Sequence, residues 1–145
     1  SKIIEFAASV LIIPIMTFGL YVIAHGHLTP GGGFQGGAII ATAFALLFVS
    51  FGQKAINSIR DDILVALECI ALVGFIGLAF LGLTNTFFFN FLANSGLLFG
   101  KSVPFGPNSG IFNSAGVIPL MNFFVGLEVC CGLTLILLSI LKGAE

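Results

Sequence analysis

The stretch HGHLTPGGGFQGG, His25 to Gly37, is the one on which the fold turns. Gly31, Gly33 and Gly36 spell G-x-G-x-x-G, the spacing used where a helix N-terminus cradles a dinucleotide pyrophosphate. That use needs a short strand before the glycines and an acidic residue about 20 positions beyond them. Neither is present. Ile3 to Ala24, just upstream, is an apolar run of membrane-span length, and Phe51 to Ile56 contains no acid. A nucleotide site is excluded, and the glycines need another explanation.

Composition supplies the setting. Of 145 residues, 58% are hydrophobic and 8% charged, against about 25% charged in a soluble domain. So few charges cannot clothe a water-facing surface, so the chain reads as an integral membrane protein. A formal net charge of −1 argues against nucleic acid as a partner. Cys69, Cys130 and Cys131 lie in apolar runs without metal-ligand spacing and read as small buried side chains. The N-terminal run is too long for a signal peptide, and no cleavage-site pattern follows it.

A bilayer span needs about 20 mostly apolar residues. Four runs qualify, at residues 3–24, 33–51, 63–83 and 117–141. Pro14 interrupts the first and is expected to kink it. The reading is a single all-α membrane domain of four transmembrane helices. Between the third and fourth lies a long stretch, Thr84 to Gly116, that mixes seven phenylalanines with five asparagines and is broken by glycine and proline. It is too apolar for a free loop and too broken for a span, which predicts an interfacial or re-entrant segment covered by protein. An even number of spans puts Lys2, Lys54, Arg60 and Lys142 on one side and Lys101 on the other. The positive-inside rule then makes both termini cytoplasmic.

The glycines now have a role. Thr29 is placed to cap the second helix and Pro30 to sit in its first turn. Beyond them Gly33, Gly37, Ala41 and Ala45 recur at steps of four, a small-residue stripe that lets another helix approach closely.

Few residues within the spans could carry chemistry. Glu128 lies about 15 Å along the last span, near the midplane, where an unpaired carboxylate costs several kcal/mol. It is either a proton- or cation-exchanging group or a hydrogen-bonded acid holding a helix interface. Glu68 lies just over one turn into the third span, where it could reach Arg60 or Lys54 instead of an ion path. Asp61 and Asp62 suit a helix start. His25 and His27 stand where the first span ends, as a relay or as bonds to loop carbonyls. No metal site, cofactor or redox centre is expected.

The motif G-H-x-x-P-G-G-G-F-x-x-G, carried by Gly26, His27, Pro30, Gly31, Gly32, Gly33, Phe34 and Gly36–Gly37, is similar to the signature of the B subunit of Mrp (Mnh) cation/proton antiporters. GVIPLMNFFVGLEVCCGLTLILLSI, residues 116–140, resembles that family's last span. The resemblance implies a non-enzymatic, multi-pass subunit in a prokaryotic plasma membrane, surrounded by other membrane subunits and lipid. It would help form or seal a path for protons and a cation such as sodium, with Glu128, Glu68 and His27 as candidate path residues. Similar subunits occur in archaeal membrane-bound hydrogenases and sulfur reductases, and a purely structural scaffold is a further alternative.

Overall fold

The computed structural model describes residues 1–104 and 111–143. Among them are five α-helices and no strand: α1 Lys2–His25, α2 Gly33–Phe51, the single turn α3 Gln53–Ile56, α4 Asp61–Leu81 and α5 Ile118–Gly143. A 3₁₀ turn, Gly82–Thr84, extends α4. Four of the helices are long and apolar enough to cross a membrane. α1 continues as one helix through Pro14.

The four long helices run alternately up and down. α1 packs along α2, α2 along α5, and α5 along α4. The first end carries Lys2, Lys54, Arg60 and Lys142, and it is tied by Lys142 Nζ, which donates to both Asp61 carboxylate oxygens at 2.7 and 2.8 Å. Lys101 belongs to the segment at the opposite end. The core of Phe48, Ala55, Ile56, Leu64, Cys131 and Leu138 joins α2, α3, α4 and α5 near the first end.

Backbone proximity accounts for the glycines. Gly36 of α2 faces α1: a Cβ there would stand 2.6 Å from the Gly19 carbonyl oxygen and 2.9 Å from the Ile23 nitrogen. Gly37 faces α5, where a Cβ would stand 2.5 Å from the Gly126 carbonyl oxygen. Gly33 meets the same helix at the Asn122 carbonyl and Val125. Buried Ala41 and half-buried Ala45 continue the stripe beside Leu133 and Leu137. The stripe's partner therefore lies within the chain, while Phe34 points outward, 60% exposed.

The turn into α2 differs from expectation. Thr29 does not cap α2; its hydroxyl and its amide both donate back to the His25 carbonyl and close α1 instead. Gly31 and Gly32, at φ 141° and 154°, then intervene and separate Pro30 from the first turn of α2. Such angles suit glycine alone. At the other end of the bundle Asp61 and Asp62 occupy the first turn of α4 without a side-chain cap. Their negative charge suits the helix N-terminus.

The described residues of the Phe/Asn-rich segment form a string of tight turns, and Phe112 folds back on the end where α1 gives way to α2. Asn90 staples the segment to the residues leading into α5: its Nδ2 donates to the Ala115 carbonyl at 3.0 Å, and its Oδ1 accepts from the Val117 amide at 2.9 Å. Pro104 ends the first described part, and Phe105, Gly106, Pro107, Asn108 and Gly110, all part of the expected segment, lie outside the described residues.

Candidate functional site

Of the two acids well inside the spans, Glu68 reaches across to α5, and Glu128 lies on the same face of α5 as the residue it reaches. Glu68 of α4 lies over Gly132 of α5: its Oε1 stands 3.2 Å from where a Cβ on that glycine would be. Any larger residue at 132 would push the carboxyl away. Gly132 is four residues beyond Glu128, hence on the same face of α5 and about 6 Å along the axis. Both carboxyls are half-buried. The expected pairing of Glu68 with Arg60 or Lys54 is not formed, because Arg60 turns to Asp62 at 3.6 Å. Among the described residues, the three ion pairs all lie at the first end and none involves Glu68 or Glu128.

A cavity of about 260 Å³ opens between α1 and α4. Leu20, Phe44, Leu67 and Leu127 are among its apolar lining. It suits hydrocarbon: apart from the thiols of Cys130 and Cys131 its lining side chains carry no ionisable or hydrogen-bonding group.

The histidines sit at the far end of the bundle. His27 Nε2 stands 3.0 Å from the Phe112 carbonyl oxygen. A carbonyl only accepts, so Nε2 carries the hydrogen and Nδ1 is left as an acceptor. That Nδ1 is buried without a partner among the described residues, as are His25 Nδ1 and Asn122 Nδ2. His25 stacks on Tyr21 with ring centroids 4.2 Å apart, and both imidazoles flank the Phe112 ring. Asn122 fills the space that Gly26 and Gly32 leave open; a Cβ on Gly26 would stand 2.7 Å from its Nδ2. The motif glycines thus hold a polar side chain of α5 against the α1–α2 turn.

His27 and the acid seam are not brought together. His27 belongs to the turn beyond α1, whereas Glu68 lies between α4 and α5 and Glu128 lies in the middle of α5. Sequence reasoning passed over Asn122 and Asn90. The available signal for Asn122 was a single amide inside an otherwise apolar span. Asn90 offered none, being one asparagine among several in an irregular stretch.

A family model described as a domain related to the MnhB subunit of Na+/H+ antiporter matches residues 3–135. An uncharacterized protein of Methanocaldococcus jannaschii is 35% identical over 136 residues, 92% of this chain and 50% of that protein. The putative antiporter subunit mnhB2 of Staphylococcus aureus strain Newman is 42% identical over 60 residues, 41% of this chain and 43% of the relative. Among solved structures, a chain of the membrane-bound sulfane sulfur reductase, an archaeal respiratory membrane complex, aligns with a TM-score of 0.77 at 33% identity. That match covers 97% of this chain and 58% of the other. The chain spans about half the length of the relatives it matches. With four span-length helices and a family match over nearly its whole length, the chain belongs to the membrane-protein family related to the MnhB subunit of Na+/H+ antiporters.

Proposed function

We propose that this chain is a non-catalytic subunit of a multisubunit Mrp-type cation/proton antiport module, with sodium as the cation, and that the α4–α5 seam forms part of the ion path. The observation that carries the reading is that Glu68 lies over Gly132, which leaves room for its carboxyl, on the face of α5 that also carries Glu128 one turn away. A carboxyl at that depth is costly unless it meets a donor, a cation or water. The remaining intramembrane surface is mostly apolar, and the hydroxyls of Ser9, Thr17 and Thr42 donate back to their own helices, which leaves too few free polar groups for an antiporter acting alone. Both termini are assigned to the cytoplasm from the basic residues of the first end, and the membrane to the plasma membrane of a prokaryote. His27 takes a structural place in this account, pinning the Phe112 segment over the end of the bundle.

A second reading is favoured by the likeness to the sulfane sulfur reductase chain, which covers nearly all of this one. In it the same module sits in a redox-driven ion-pumping complex. Purification through a tag on this chain, followed by identification of the accompanying subunits, separates the two. Only antiporter subunits are expected for the first reading; a nickel–iron hydrogenase-like or sulfur-reductase subunit selects the second. Purification of this chain alone, under conditions that preserve membrane assemblies, would contradict both.

A further inference from the structure

The α4–α5 seam at Glu68 is open on its outer side. Val65 and Leu72 of α4 flank Glu68 at helical spacing and are 47% and 45% exposed. Ile136 of α5, four residues beyond Gly132, is 56% exposed. None of the three lines the apolar cavity beside α1, and Ile136 stands where this side of α5 borders the groove along Ala38, Ala41 and Ala45 of α2. In a bilayer most of this outer face suits lipid, but the two carboxyls do not. Neither forms an ion pair among the described residues, and every described basic side chain lies at an end of the bundle or in its connections. Hydrocarbon offers no donor, and removing a carboxylate from water without a partner costs several kcal/mol.

We infer that this face docks a transmembrane helix of another subunit that brings a basic side chain, a lysine or arginine, to the depth of Glu68 and Glu128. The charge balance argues for that occupant. Glu68 over Gly132, with Glu128 one turn away from that glycine on α5, leaves the seam short of positive charge and of hydrogen-bond donors. An ammonium or guanidinium supplies both, and its aliphatic stem packs on Val65, Leu72 and Ile136. A second copy of this chain cannot supply the match, because its own seam is acidic and the basic residues of its described spans, Lys2 and Lys142, stand at their ends rather than at the depth of the acids. The inference places the chain's outer neighbour, and it rests on the membrane setting of the proposed function rather than on ion transport itself.

The test uses the intact complex. A photoreactive benzophenone amino acid at Leu72, and separately at Ile136, is irradiated in native membranes, and the crosslinked peptides are sequenced. The expected product joins either position to an apolar helix of a different subunit, with a lysine or arginine within one turn of the crosslinked residue. A crosslink to lipid alone, to a second copy of this chain, or to a helix without such a residue overturns the inference. In the Glu68→Gln/Glu128→Gln double variant the crosslink yield is expected to fall at least severalfold, because the charge match is gone. An unchanged yield would overturn the electrostatic basis. A normal crosslink in a complex whose Glu128→Gln variant transports at the wild-type rate would leave the docking intact and remove only the ion-path reading.

Discussion

Replacing Gly37 by alanine adds one methyl group at the point where α2 and α5 come closest. That methyl would stand 2.5 Å from the Gly126 carbonyl oxygen and 3.2 Å from the Cys130 nitrogen, where ordinary contact begins at 3.4 Å. The atoms in the way are backbone and the Val129 Cβ at 3.0 Å, none of which a side-chain rotation can move, so the helices must part by close to an ångström. Overpacking of this kind costs about 1–3 kcal/mol. Against it stands the gain in helix propensity from glycine to alanine, up to about 1 kcal/mol. Gly77 in α4 is the internal control, since a Cβ there meets nothing within 4 Å. Gly77→Ala should then be neutral or stabilising by at most about 1 kcal/mol, from propensity alone. Gly37→Ala should be less stable than Gly77→Ala by about 2 kcal/mol, roughly 30-fold in the folding equilibrium. Titration of the protein in micelles with a denaturing detergent, followed by far-ultraviolet circular dichroism, measures the difference. Equal midpoints for the two variants would refute the account of the glycine motif as a close helix crossing.

Other outcomes follow from named bonds. Asn90→Ala removes both staples between the irregular segment and the residues leading into α5 and should cost about 1–3 kcal/mol, because it leaves a part-buried amide and carbonyl unpaired. Hydrogen exchange at the Val117 amide should quicken accordingly. His27→Ala should loosen residues 111–116, seen as faster exchange there, by about 1 kcal/mol for the single lost bond to Phe112. With the native cysteines replaced, a cysteine at Ser102 should react with an impermeant thiol reagent from outside, and one at Ser58 from the cytoplasm. The reverse pattern would invert the orientation drawn from the lysines and arginine.

The helices were legible because their signal is strong: long apolar runs bounded by glycine, proline or charge leave little alternative in a membrane protein. The glycine stripe was legible as a packing face, since the step of four places Gly33, Gly37 and Ala41 on one side of any helix. Its partner was not. Nothing in the spacing says whether Gly37 meets a helix of the same chain or of another, and it meets Gly126. Thr29 was misread because the two glycines after Pro30 take angles that detach it from α2, and a local capping rule cannot foresee that. The acids were found singly, by depth. That Glu68 reaches the face of α5 carrying Glu128 depends on the antiparallel register of α4 and α5, which brings Glu68 opposite Gly132, and register between helices is a tertiary property. The Phe/Asn-rich segment resisted reading for a further reason. Phe88 and Phe99 adopt φ of 62° and 57°, a conformation that a bulky side chain disfavours and that no local signal announces.

The central claim is tested most directly at Glu128, by measuring cation-driven proton movement in vesicles reconstituted with the whole complex. Glu128→Gln keeps the size and hydrogen-bonding capacity of the side chain but has no proton to exchange and no charge to offer an ion. The Gln variant should assemble with its partners as the wild type does, yet move protons at least severalfold more slowly. Glu128→Asp should retain part of the rate, since it keeps the charge on a shorter stem. Glu68→Gln should be milder than Glu128→Gln, because Glu68 lies nearer the first end of the bundle, within closer reach of water. An assembled Glu128→Gln complex that transports at the wild-type rate would contradict the account and leave the chain as a scaffold.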